Sequence, residues 1–103
     1  MADDIRIDRI IAELHDVFDP EIPVNIYDLG LIYSVDVDEK NLATVVMTLT
    51  APGCPVADMI VQEVFEKTTG VDGVDDCFVD LTFEPPWDKS MMSEEAKLEL
   101  GFF

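Results

Sequence analysis

The chain is short of cationic charge, histidine and cysteine, and it has no long apolar run. Each shortage removes a class of function. Six lysines and arginines stand against 23 aspartates and glutamates, a net charge of −17. Such a polyanion repels nucleic-acid phosphates and anionic headgroups, so no nucleic acid and no membrane is expected as partner. Basic proteins or cations are the partners this charge favours, and the ordinary meaning of acidity, a solvated surface, stands beside that reading. Cys54 and Cys77 make neither a disulfide framework nor a CxxC pair. With His15 the only histidine, a closed Cys/His zinc site within one chain is excluded. No stretch approaches the ~20 apolar residues of a membrane span. The acidic start Met1-Ala2-Asp3-Asp4 lacks the apolar core of a signal peptide. These features predict a reduced, cytoplasmic protein.

What is present is enough for one domain over residues 1–103, with an apolar fraction of 49%. The chain is organised around Met47-Thr48-Leu49-Thr50-Ala51-Pro52-Gly53-Cys54-Pro55. Residues 44–49 are β-branched and apolar and read as a half-buried strand. Pro52-Gly53 turns the chain. Pro55 suits a first helical position, which makes Cys54 the N-cap. Its sulfur would then sit by unpaired N–H groups and the positive end of the helix dipole, where thiolate is favoured. Two readings are open at Cys54: a reactive or ligating thiolate, or a small buried hydrophobe.

Before that stretch, Ile7, Ile10, Ile11, Leu14, Val17 and Phe18 recur at helical spacing, predicting a helix over residues 4–18 capped by Asp3 or Asp4. His15 falls off this stripe and reads as a solvated surface residue. Asp19-Pro20-Glu21-Ile22-Pro23 forces an extended loop. Asp19, Glu21 and Asp28 are the acids of the loop region, which ends at Gly30, a position for an angle that other residues resist. Residues 31–38 alternate, with Leu31, Tyr33, Val35 and Val37 on one face, and pair with the next strand as a hairpin.

After the turn a helix runs over residues 55–69, with Val56, Met59, Ile60, Val64 and Phe65 toward the sheet and Gly70 as its stop. A third strand over 74–83 puts Cys77, Val79, Leu81 and Phe83 on one face, so Cys77 reads as core. Strand, helix and strand over 44–83 form a crossover unit. Glu84-Pro85-Pro86-Trp87-Asp88 is stiff, with Trp87 as packing or as the seal of a pocket. Ser93 caps a short last helix, and Phe102-Phe103 should pack on the domain or on a partner. The expected fold is a two-layer α+β sandwich in the order α-β-β-α-β with a short C-terminal helix. Its core holds Ile10, Leu14, Val35, Val45, Met47, Ile60, Val79 and Leu81.

Four motifs in order, Asp19-Pro20-Glu21-Ile22-Pro23, Tyr27-Asp28-Leu29-Gly30-Leu31-Ile32-Tyr33, Met47 to Pro55, and Phe83-Glu84-Pro85-Pro86-Trp87-Asp88 with Met92-Ser93, resemble the SufT/YitW/PaaD-like family. The likeness covers nearly the whole chain. It implies a fold related to iron–sulfur scaffold domains and a non-enzymatic role in maturing or delivering iron–sulfur clusters. It matches Cys54 to the family's motif cysteine, Asp19, Glu21 and Asp28 to its acids, and Thr50, Pro52, Gly53, Glu84 and Trp87 to flanking positions. It implies assembly machinery and client apoproteins as partners, with iron or a cluster held transiently and shared.

Other functions are weighed against this one. A PaaD-like accessory subunit would mature one oxygenase complex. A thiol enzyme would use Cys54 as nucleophile but needs a base, and His15 lies far away in sequence. A plain interaction module would leave Cys54 structural. One thiolate cannot hold a cluster, which needs four thiolate or equivalent ligands. Sharing between chains therefore makes a homodimer an expectation.

Overall fold

A computed structural model of the chain describes residues 5–18, 24–49 and 57–101. The element order is α1 (Ile5–Leu14), β1 (Ile32–Val37), β2 (Leu42–Met47), α2 (Ala57–Thr69), β3 (Asp76–Leu81), a 3₁₀ turn (Lys89–Met91) and α3 (Glu94–Leu100). This is the expected α+β order. The strands form one mixed sheet in the order β1-β2-β3, with β1 antiparallel and β3 parallel to β2. Val35, Val45 and Val79 align across it, as do Val37, Ala43 and Cys77. Residues paired in this way share a face. That face packs on α1 and α2 around Ile10, Leu14, Ala43, Val45, Met47, Ile60 and Val64, all buried.

α1 ends at Leu14, four residues before the expected Phe18, because the chain tightens: the amides of Asp16 and Val17 donate to Glu13 and Leu14 carbonyls three residues back. Val17 stays buried, while Phe18 leaves the stripe and bridges to Asn25. In β1 an irregularity between Ile32 and Ser34 makes Tyr33 the extra residue of a bulge. The side-chain alternation slips there, so Ile32 faces Met47 in the core where Tyr33 was expected.

α2 buries the row Ile60, Val64 and Thr68, each four residues from the next. Met59 sits one residue off that row and is 65% exposed, so it is not the core filler its hydrophobicity suggests. Leu81 is also at the surface, 36% exposed, because β3 ends there at the sheet's edge; Phe83, beyond the strand, is exposed too. Val35 and Val79 are half-buried. Ser93 caps α3 as expected, its hydroxyl accepting from the Ala96 amide at 3.1 Å, and Gly101 closes it with φ +75°. The expected cap at Asp3 or Asp4, the helix start at Pro55 and Val56, and Phe102-Phe103 lie outside the described residues. No helix among the described residues is long and apolar enough to cross a membrane.

The two ends of the sheet are tied differently. At one, the Arg6 guanidinium of α1 donates to Asn41 Oδ1 at 2.7 Å and to the Gly73 carbonyl at 2.8 Å, joining the β1–β2 turn to the loop before β3. At the other, Met47 pairs with both Ile32 and Leu81. Beyond it, the Thr48 amide donates to Leu31 O and the Thr82 amide to Met47 O, both at 2.8 Å. This second end carries the candidate site.

Candidate functional site

Three routes leave the sheet at Met47. Leu31 is preceded by the 26–30 turn, which holds Asp28. Leu49 is followed by 50–56, the stretch containing Thr50, Pro52, Gly53 and Cys54. Leu81 is followed by Glu84 and Trp87. A fourth segment approaches from α1: Phe18, next to Asp19, bridges to Asn25, and the Ile26 amide donates to Val17 O at 2.8 Å. Asp19, Glu21, Thr50, Pro52, Gly53 and Cys54 themselves lie outside the described residues. Among the expected site residues, the structure therefore places Asp28, Glu84 and Trp87.

The Asp28 turn is closed by local chemistry. Asn25 Nδ2 donates to Asp28 Oδ2 at 2.9 Å, and the Asp28 amide donates back to Asn25 Oδ1 at 2.9 Å. An asparagine side chain can stand in for a backbone turn in this way. Gly30 completes the turn with φ +82°, where a side chain is strained.

The C-terminal segment then clamps three successive residues of that turn. The Ser93 amide donates to Asp28 O at 2.8 Å. Trp87 Nε1 donates to Leu29 O at 2.7 Å. Gly30 lies so close to Met91 that a Cβ added there would stand 2.4 Å from the Met91 carbonyl oxygen. The Tyr33 hydroxyl anchors the same segment by donating to Pro85 O at 2.7 Å. Trp87 is thus core packing and a hydrogen-bonded strut at once. Glu84 is exposed, its amide donating to Thr82 Oγ1 at 3.2 Å. The clamp brings Trp87 to Asp28 and leaves the Glu84 side chain in solvent.

The Asp28 carboxylate is 26% exposed. One oxygen is held by Asn25, and the other faces His15 Nε2 at 3.9 Å. His15 Nδ1 lies 2.8 Å from the Ile11 carbonyl oxygen, an acceptor, which leaves Nε2 as the ring nitrogen turned toward Asp28. The ring lies on Tyr27, centroids 4.6 Å apart and planes tilted 33°. His15 is at the surface as expected, its ring 41% exposed, and the ring is also held on two sides. Nothing in the sequence pattern signals this, since the contact to Asp28 spans thirteen positions and arises where α1 ends early.

Beside the turn is a hollow of about 220 Å³ between it and α3, lined by Phe18, Val24 and Ala96 and by three carboxylates, Asp28, Glu95 and Glu99. Its charge attracts cations and repels anions. Among the described residues no three histidine, cysteine, aspartate or glutamate side chains converge to hold a metal ion. Cys77 is buried on β3, as expected of a core cysteine. Burial pushes its thiol pKa up, the Thr68 hydroxyl of α2 works against that, and the adjacent Asp76 carboxylate adds to it. It is a poor nucleophile and a poor ligand at neutral pH. Sequence reasoning missed Asn25, Tyr33, Met91 and Ser93 as positioning residues; Asn25-x-x-Asp28 carries the signature of a side-chain-closed turn.

Comparison with known proteins shows the family. An Fe-S protein maturation auxiliary factor of Porphyromonas gingivalis is 61% identical over 93 residues, 90% of this chain and 89% of that protein. The Fe-S protein maturation auxiliary factor YitW of Bacillus subtilis is 44% identical, covering 91% of this chain and 92% of its own. The crystal structure of a domain of unknown function from Bacillus anthracis superposes with a TM-score of 0.87 at 40% identity, over 96% of this chain and 94% of that one. A model of the iron–sulfur cluster assembly protein family matches residues 7–81. The chain belongs to the iron–sulfur cluster assembly protein family.

Proposed function

We propose that the chain is a non-enzymatic factor that helps assemble iron–sulfur clusters or deliver them to client proteins, working in the cytoplasm with the assembly machinery and with apo-clients. The observation that carries this is the 61% identity to a maturation auxiliary factor over nine-tenths of the chain. The site's chemistry supports it. A carboxylate fixed by Asn25, facing His15 and lining a hollow with Glu95 and Glu99, favours a cation over an anionic or neutral acyl substrate.

In this reading Cys54 contacts iron, a cluster or a client thiolate, and Asp19, Glu21 and Asp28 are the acids beside it. Thr50, Pro52, Gly53, Glu84 and Trp87 shape the surroundings. Iron or a cluster is cargo and not a resident group. One thiolate supplies a quarter of the ligands that a cluster needs, so the cargo is shared with a client, a small thiol or a second copy of the chain. Nearby carboxylates disfavour a free thiolate, but a bound cation makes thiolate and carboxylates attract together, so the site should favour cargo over covalent catalysis.

The test is anaerobic transfer from a reconstituted, cluster-loaded donor to an apo iron–sulfur client, with and without the protein, read by cluster absorbance and client activity. Cys54→Ser should abolish the stimulation, and Asp28→Asn should lower it about tenfold. Full stimulation by a folded Cys54→Ser variant would sink the proposal. Turnover of a thioester by the wild type, lost in Cys54→Ser, would move the assignment to a thiol enzyme.

A further inference from the structure

The sheet has two faces, and the helices cover one. No residue of the other face belongs to the hydrophobic core. Strand pairing lays that face out as a grid. Ser34, Val46 and Asp80 align in one row, and Asp36, Thr44 and Phe78 in the next. Leu42 pairs with Asp76 in the third. The middle strand is apolar or uncharged, with Leu42, Thr44 and Val46 half-buried. Phe78 stands beside them at 56% exposure. The flanking strands supply Asp36, Asp76 and Asp80, all exposed. Each charged side chain that register puts here is a carboxylate, and none of the chain's six cations lies on a strand. Among the described residues, α3 packs at the Asp28 turn.

An apolar strip with a large exposed aromatic, rimmed on both sides by charge, is the surface of an interaction site. The charge selects the occupant. A second copy docked face to face would bring three carboxylates against three, on chains that each carry −17. We propose that the open sheet face, centred on Leu42, Val46 and Phe78, docks a basic amphipathic segment of a partner protein. Its apolar side would cover the strip, and its lysines or arginines would meet Asp36, Asp76 and Asp80. The site stands apart from the Asp28 end and is independent of the iron–sulfur proposal.

The probe is a synthetic peptide of alternating lysine and leucine, titrated into the ¹⁵N-labelled full chain at low salt. Amide shifts should concentrate at Leu42, Thr44, Val46 and Phe78. The triple variant Asp36→Asn, Asp76→Asn, Asp80→Asn should weaken binding about tenfold, since exposed pairs each contribute a small factor. Phe78→Ser should weaken it at unchanged net charge, with circular dichroism confirming the fold. A control neutralising three carboxylates of α2 (Asp58→Asn, Glu63→Gln, Glu66→Gln) should leave affinity within about twofold. Equal loss in control and test variants would overturn the proposal as generic attraction to an acidic chain. Sedimentation showing a dimer that Phe78→Ser breaks would overturn it in favour of a second copy. No shifts on this face with the peptide bound elsewhere would overturn it outright.

Discussion

Replacing Gly30 by alanine should be far more damaging than the same change at Gly101, although both glycines hold left-handed backbone angles, +82° and +75°. The angle alone costs an L residue about 1–2 kcal/mol at either site. At Gly101 nothing lies within 4 Å of the added Cβ, so that is the whole cost. At Gly30 the Cβ would meet Met91 O at 2.4 Å and Met91 C and Cβ at 2.8 Å. The obstacle is backbone, so the turn and the Met91 segment must separate. That breaks the bonds of Ser93 to Asp28, Trp87 to Leu29 and Tyr33 to Pro85. At about 1 kcal/mol each, part of which water restores, the excess over Gly101→Ala is about 2–3 kcal/mol. In a domain of this size that separates the two melting temperatures by about 10–15 °C. Thermal melts of both variants, followed by near-ultraviolet dichroism of Trp87, decide it. Variants melting within about 3 °C of each other would show that the clamp does not hold the turn. Because the same clamp fixes Asp28, Gly30→Ala should also lose cluster transfer at temperatures where it remains folded.

Two further outcomes follow from the site and the core. Trp87→Phe keeps most of the ring packing but removes the donor to Leu29 O, and should cost about 1 kcal/mol in urea unfolding with a parallel loss of transfer; an unchanged midpoint would make Trp87 packing alone. The Cys77 thiol ionises less readily folded than unfolded, so its contribution to stability is whole below the ordinary thiol pKa, about 8.5, and is lost as pH rises past it; wild type should therefore lose more stability than Cys77→Ala between pH 7 and pH 10, and parallel pH profiles would refute the burial argument.

Periodicity made the elements and their order legible, because apolar spacing is set by which face each element buries. Ile10, Leu14, Val45, Met47 and Ile60 are buried as that logic requires. It misjudged places where position in the fold overrides pattern. Leu81 keeps the alternation but lies where β3 ends at the sheet edge, and the bulge at Tyr33 shifts register by one residue, which no local signal encodes. Helical spacing admits Met59 beside Ile60, but the buried row runs through Ile60, Val64 and Thr68 and leaves Met59 outside it. At the site, Asp28 and Trp87 were legible as motif residues, but their joining was not. The clamp links residues about sixty positions apart through backbone carbonyls, and a carbonyl leaves no trace in the identity of its residue.

The placement of the Asp28 turn follows from the mixed sheet. Parallel strands need a crossover, and the chain supplies α2 for it, so the ends of β2 and β3 fall side by side and their following segments leave from one edge. Here the antiparallel β1 adds its own start to the same edge, which brings the Asp28 turn beside Thr48 at the end of β2. A carboxylate on a free loop would spend side-chain and backbone entropy on each encounter with a cation. Asp28 has spent it already, through Asn25, Ser93 and the neighbouring Trp87 strut.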